Sequence, residues 1–294
     1  MSGKEVEGVD ICCANCGVAE VDDIKLEECD GCDLVKYCSD NCKEGHREKH
    51  EEECKRRATE LHDKELFSQP DGSHHGECPI CFLPLQLEPR KSTFKSCCSK
   101  LICNGCLYVH HIKNRNETCP FCRESLEDHV EKKKTMKRIK ANDPAAMCHM
   151  GSILRNEGDY DGALKYYTKA AELGDVEAHY RLGFMYGEGE GVEKDEEKEV
   201  HHYEKAAIGG HLFARYNLAL TEEKNGNIER TVQHFIINAN LGEKDSMKEL
   251  LGHYSKGNIT KEDLDATLRT HQAAIDETKS EQRDAAEALF RNRI

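Results

Sequence analysis

Seventeen cysteines stand out in this chain of 294 residues, and all but Cys148 fall in two short zones. A thiolate can attack a substrate, enter a disulfide or ligate a metal. Spacing selects among these. The first zone runs Cys13-Ala14-Asn15-Cys16, Cys29-Asp30-Gly31-Cys32, Cys38, Cys42, His50 and Cys54. The second runs Cys78-Pro79-Ile80-Cys81, Cys97-Cys98, Cys103-Asn104-Gly105-Cys106 and Cys119-Pro120-Phe121-Cys122. Each zone supplies eight candidate ligands, the number that two tetrahedral Zn²⁺ require, so four zinc ions per chain are expected. His50 and Cys54 stand four apart, on one face of a helical turn. A segment of ~40 residues buries too little apolar surface to fold unaided, so metal must supply the missing stability. Thiol or open-site metal catalysis explains the pattern less well, because protein ligands can close every site. Cys12 is expected to be a spare thiol, His46 a solvated helix histidine and Cys148 a buried apolar residue on a helix.

These clusters need elements to hold them. Between the zones, residues 55–76 form a polar connector rich in helix formers, ending at Ser68-Gln69-Pro70-Asp71-Gly72-Ser73-His74-His75-Gly76. Residues 126–142 form a basic connector with Lys132-Lys133-Lys134 and Lys137-Arg138-Ile139-Lys140, more simply a solvated face than a nuclear signal. From residue 143 a helical pattern repeats. Met150-Gly151, Leu182-Gly183, Leu218-Ala219 and Leu251-Gly252 place small landmarks 32, 36 and 33 residues apart. Lys169-Ala170-Ala171, Lys205-Ala206-Ala207, Asn238-Ala239 and Ala273-Ala274 follow as second landmarks. Two helices per period predict an all-α solenoid over 143–278, with 279–294 as a C-terminal capping helix. Small residues let helices approach, while Leu164, Tyr167, Leu182, Tyr203, Leu218 and Phe235 fill the stripe. The pattern resembles the Sel-one-like repeat, a tetratricopeptide-like helix pair, which implies a protein-binding scaffold without catalysis.

Residues 13–54, including Tyr37-Cys38-Ser39, resemble a MYND-type zinc finger. The resemblance implies interleaved ligation: Cys13, Cys16, Cys38 and Cys42 on one metal, Cys29, Cys32, His50 and Cys54 on the other. Lys43 and Arg47 stand where that family usually carries Gln and Trp in its peptide groove, which leaves open whether this groove takes a peptide. Residues 77–125 resemble a RING finger of an all-cysteine kind, in which Lys100 falls near the usual His position and the adjacent Cys97 and Cys98 restore the count. The resemblance implies cross-braced sets, Cys78, Cys81, Cys103 and Cys106 on one metal and Cys97, Cys98, Cys119 and Cys122 on the other, with His110 or His111 as a fallback ligand. It also implies docking of a ubiquitin-conjugating enzyme on Ile80, Pro120 and Arg123, and catalysis by orientation with no covalent catalytic residue.

The expected architecture is thus two small zinc-stabilised modules followed by a helical-repeat solenoid. The expected function is a zinc-binding adaptor, with a RING-type ubiquitin ligase and a non-enzymatic scaffold both open. Formal charge is −14, with −10 of it after residue 140. Ionised ligand thiols and four Zn²⁺ would take the total to about −21, a field that disfavours nucleic acid as the main partner. No run approaches the ~18 apolar residues of a spanning helix, and Met1-Ser2-Gly3-Lys4-Glu5-Val6-Glu7 has no apolar signal core. A cytoplasmic or nuclear protein is expected.

Overall fold

A computed structural model describes residues 12–18, 20, 25–88, 90–115, 117–125 and 131–291. The fold divides into a unit of residues 1–68 and a unit of residues 69–294.

In the first unit, β1 (Glu27–Glu28) pairs antiparallel with β2 (Lys36–Tyr37), Glu27 facing Tyr37 and Glu28 facing Lys36. Helix α1 (Asp40–Leu66) starts at Ser39, whose hydroxyl accepts the Cys42 N–H. The stretch 55–66, expected within a connector, is the continuation of this helix. Its helix-forming Glu, Lys and Arg pair at three- and four-residue spacing, as in Lys55–Glu51 (2.6 Å) and Arg56–Glu53 (2.5 Å). The apolar core holds little beyond Cys13, Leu26 and Tyr37. So small a core cannot offset chain entropy, and the cysteines must do more than pack.

The second unit begins with a cysteine-rich module. Strands β3 (Ser92–Lys95) and β4 (Lys100–Cys103) form an antiparallel hairpin with Lys95 opposite Lys100, so Cys97 and Cys98 lie in its turn. Helix α2 (Asn104–Leu107) follows and runs into a π-helical turn, Tyr108–Lys113. After α3 (Glu131–Ile139) come eight helices in antiparallel pairs: α4 (Pro144–Asn156) with α5 (Tyr160–Glu172), α6 (Val176–Glu188) with α7 (Glu196–Ile208), α8 (Leu212–Lys224) with α9 (Ile228–Asn240), and α10 (Lys244–Ser255) with α11 (Lys261–Glu277). The first helix of each pair is capped by a side chain: Asp143, Asp175, His211 and Glu243.

Those caps place the last pair one residue away from the register expected from sequence. Leu182, Leu218 and Leu250 are equivalent and buried, at 2%, 4% and 0% exposure. The small-residue position therefore passes from Gly183 and Ala219 to Leu251, which is 49% exposed, and not to Gly252. The reason is packing. A Cβ on Gly151 would meet the Tyr167 ring at 2.7 Å and one on Gly183 the Tyr203 ring at 2.6 Å, whereas Gly252 has nothing within 4 Å.

Helix α12 (Glu281–Arg291), expected as a cap for the repeats, packs instead on α2 and the π-helical turn of the cysteine module. Lys91 pairs with Glu287 across this contact, and Lys244 reaches Glu88 at 2.6 Å. Among the described residues no helix is long and apolar enough to cross a membrane.

Candidate metal centres

Four groups of side chains each bring four ligand atoms within 4.8 Å of one another: Cys13, Cys16, Cys38 and Cys42; Cys29, Cys32, His50 and Cys54; Cys78, Cys81, Cys103 and Cys106; and Cys97, Cys98, Cys119 and Cys122. In both zones the chain alternates between its two groups. Every described cysteine is a free thiol. A tetrahedron with Zn–S bonds of 2.3 Å has edges of about 3.8 Å. Measured Sγ–Sγ separations are 3.9 Å for Cys78–Cys106, 3.8 Å for Cys81–Cys103, 3.9 Å for Cys98–Cys119 and 3.6 Å for Cys29–Cys54. Cys32 Sγ lies 3.2 Å from His50 Nε2. These spacings suit a shared divalent ion and are far beyond the ~2 Å of a disulfide.

Local backbone explains the placement. Three C-x-x-C turns end at a residue with positive φ: Gly17 (74°), Phe82 (56°) and Arg123 (62°). Each donates its N–H back to the carbonyl of the first cysteine, at 2.9, 2.9 and 2.8 Å. Only the first uses glycine, so the other two place a large side chain in a conformation that costs an L-residue about 1–2 kcal/mol. In the first unit, α1 supplies Cys42, His50 and Cys54 from one rigid element. A Cβ on Gly31 would sit 2.9 Å from Cys54 Sγ, so glycine lets the knuckle close on the helix.

Electrostatics separates the thiols within each group. Burial opposes ionisation of Cys13, but the backbone N–H groups of Cys16, Cys38 and Asn15 bring it down to about 6. Its neighbour Cys38 is pushed up to about 12 by hydrogen bonding with Cys16 and Cys42. In the second group, burial and then Cys29 and Cys32 push Cys54 up to about 12. Hydrogen bonds from Cys103 and Cys106 hold Cys78 far below the usual thiol range. Burial, then the charge on Cys119, raises Cys98 to about 12. Four sulfurs at van der Waals distance cannot all be anions without a cation between them, and a divalent ion supplies that charge.

The structure also places residues that the spacing left uncertain. His46 is outside the metal groups. It is half-buried, hydrogen-bonded through Nδ1 to Tyr37 Oη at 3.1 Å and stacked on His50 at 5.7 Å, so it orients a ligand ring and is not simply solvated. His110 bonds Thr118 (3.3 Å), and neither it nor His111 joins a group, since Cys97 and Cys98 both reach theirs. Cys12 is exposed and outside the groups, and Cys148 is buried in the repeat core. Ile80 packs half-buried against the module core, Pro120 is half-buried and Arg123 is exposed. Lys43 is held by Asp30 beside a groove of about 600 Å³ that Tyr37 and Arg47 also line.

A fifth group, His74, Glu177 and His211, brings two imidazoles and a carboxylate equally close. It does not suit a metal as arranged. The His74 and His211 rings stack at 4.0 Å and 19°, so no ion can lie in both ring planes. His211 Nδ1 accepts the Ala214 N–H at 3.2 Å, which leaves Nε2 protonated to donate to Glu177 at 3.0 Å. Arg181 takes the other carboxylate oxygen at 2.6 Å. Residue 74 is held on the repeats by this ring stack and by its backbone N–H, which donates to the Gly210 carbonyl at 3.0 Å.

Cysteine-rich, metal-competent modules joined to helical repeats define a class of interaction protein. Residues 13–54 match the MYND finger family, and residues 144–175 and 176–211 match the Sel1 repeat. The chain therefore carries a MYND finger and Sel1 repeats, and zinc binding by the finger and protein–protein contact by the repeats follow from those families. The chain is 35% identical over 75 residues to chitin synthase regulatory factor 2 of Schizosaccharomyces pombe, covering 26% of this chain and 15% of that protein. It is similar to the crystal structure of a Sel1 repeat protein from Oxalobacter formigenes, with 28% identity, 58% of this chain and 70% of that one covered, and a TM-score of 0.45. Similarity extends to c5321, a protective antigen of uropathogenic Escherichia coli strains with an SLR fold, at 22% identity, 56% and 38% coverage and a TM-score of 0.44.

Proposed function

We propose that this protein is a zinc-dependent adaptor that binds four zinc ions in the four groups described, holds a client protein on its repeats, and uses the module at 77–125 as a RING-type ubiquitin ligase. The observation that carries this reading is the alternation of Cys78, Cys81, Cys103 and Cys106 with Cys97, Cys98, Cys119 and Cys122. Two centres threaded this way hold the two C-x-x-C loops at fixed positions, so Ile80, Pro120 and Arg123 can present a rigid surface to a conjugating enzyme. Zinc supplies structure; the chemistry belongs to the recruited thioester, and the module contributes orientation. The name of the fission-yeast relative, a regulatory factor for another enzyme, suits an adaptor role. Thiolate-held zinc requires a reducing compartment, which supports a cytoplasmic or nuclear site of action.

The test is autoubiquitination by the whole 294-residue chain with a panel of conjugating enzymes. Ile80→Ala and Arg123→Ala are expected to abolish chain formation while leaving zinc content unchanged. Activity that survives both substitutions refutes the ligase reading. A non-enzymatic scaffold is favoured instead by one observation: α12 already occupies α2 and the 81–84 loop of the module. That reading gains if no conjugating enzyme binds and a client still does.

A further inference from the structure

Helix α12 lies about 200 residues beyond the first C-x-x-C turn of the cysteine module, yet its first turn is inserted into that module. Arg283 is 4% exposed. Its Nη1 donates to the Pro84 carbonyl at 2.7 Å and the Thr278 carbonyl at 2.6 Å. Its Nη2 donates to the Leu83 carbonyl at 3.2 Å and is 3.6 Å from Cys81 Sγ. The remaining donor, Nε, is buried without a hydrogen-bond partner. Gly105, between the ligands Cys103 and Cys106, makes room: a Cβ there would stand 2.8 Å from the Arg283 backbone nitrogen.

We propose that Arg283 is a positioning residue of the Cys78, Cys81, Cys103 and Cys106 centre, donating to the Cys81 thiolate and placing a buried cation against it. The inference rests on the zinc reading given above. A divalent ion held by four thiolates carries a formal charge of −2, and a buried centre needs that excess answered nearby. Guanidinium suits the task. It stays charged, it spreads donors over a rigid plane, and here the same plane ties the 81–84 loop by two carbonyls. The other three groups have no described arginine donating to a ligand sulfur. The C-terminal helix is then part of a metal centre formed far upstream in sequence, and the centre and the end of the solenoid share one stability.

Partners one step removed from a metal typically contribute 10–100-fold to its affinity. The experiment compares the whole 294-residue chain, zinc-loaded, with Arg283→Met and Arg283→Lys. Zinc loss under chelator challenge is followed by native mass spectrometry, and each cysteine's alkylation by peptide mapping. The expected result is that Arg283→Met releases one zinc 10–100-fold faster, with Cys81 and Cys103 alkylated first, and that Arg283→Lys falls between it and wild type. Cobalt substitution adds a readout that packing alone would not move, a shifted sulfur-to-metal charge-transfer band from that centre. Gly105→Ala, which pushes the helix away and keeps the arginine, is expected to give the same site-selective release. Unchanged release and unchanged Cys81 reactivity in Arg283→Met overturn the proposal, and so does equal acceleration at all centres. Wild-type protein with no zinc on Cys78, Cys81, Cys103 and Cys106 would instead refute the zinc reading itself.

Discussion

Gly183 and Gly252 sit in similar sequence contexts, each following a leucine in the first helix of a repeat, yet alanine should have opposite effects at the two positions. At Gly183 the added Cβ would lie 2.6 Å from Tyr203 Cδ1, 2.7 Å from Cε1 and 3.2 Å from the Glu199 carbonyl. Tyr203 is 3% exposed and has no room to retreat. Overpacking of this kind costs about 1–3 kcal/mol, and the gain in helix propensity returns roughly 0.5–1 kcal/mol. Gly183→Ala should therefore destabilise by about 1–2 kcal/mol. At Gly252 nothing lies within 4 Å and the residue is inside α10, so only the propensity gain remains, roughly 0.5–1 kcal/mol of added stability. At about 2–4 °C per kcal/mol for a unit of this size, the Tm of the zinc-loaded protein should fall by about 2–8 °C in the first case and rise by about 1–4 °C in the second. Thermal circular dichroism at 222 nm reads both. Destabilisation by Gly252→Ala, or no effect of Gly183→Ala, would refute the helix register described here.

The same register makes Leu250→Ala cost about 2–5 kcal/mol in a urea melt, while Leu251→Ala, at 49% exposure, should stay within about 0.5 kcal/mol; equal effects would contradict it. Acid should loosen the repeats. Burial, then His74, holds His211 down at about 4 despite Glu177, and burial, then Arg215, holds His234 at about 3. Both are neutral when folded and charged when unfolded below about 6.5, so their contribution is complete above pH 6.5 and is lost as pH falls toward 4. The slope is up to about 1.4 kcal/mol per pH unit for each histidine. Urea midpoints at pH 7, 6 and 5 should fall in order, and a flat series would refute the assignment. His46→Ala should weaken the hold on one zinc of the MYND finger, seen as faster release under chelator, because Tyr37 and His50 lose the ring between them.

Metal-competent geometry was legible because it is local. A C-x-x-C turn brings two sulfurs together by backbone alone, and the family resemblances implied how the pairs combine, as the four groups show. The solenoid was legible at Gly151 and Gly183, where a ring on the next helix demands a missing side chain. It failed at Gly252 because a glycine tolerated on an exposed helix face looks the same in sequence as one required by packing; only the burial of Leu250 distinguishes them. The role of His46 was hidden for a related reason: spacing marks His50 as the ligand but does not show that His46 lies against Tyr37 and the His50 ring. Arg283 and Glu177 were out of reach altogether, since their partners are about 200 and 34–103 residues away and no periodicity links them.

Native mass spectrometry of the intact chain, purified under reducing conditions, tests the central claim most directly. Four zinc ions per chain with none of the seventeen cysteines in a disulfide is the predicted result. Two zinc ions would remove one of the modules, and a metal-free chain with its cysteines oxidised in pairs would contradict the account as a whole.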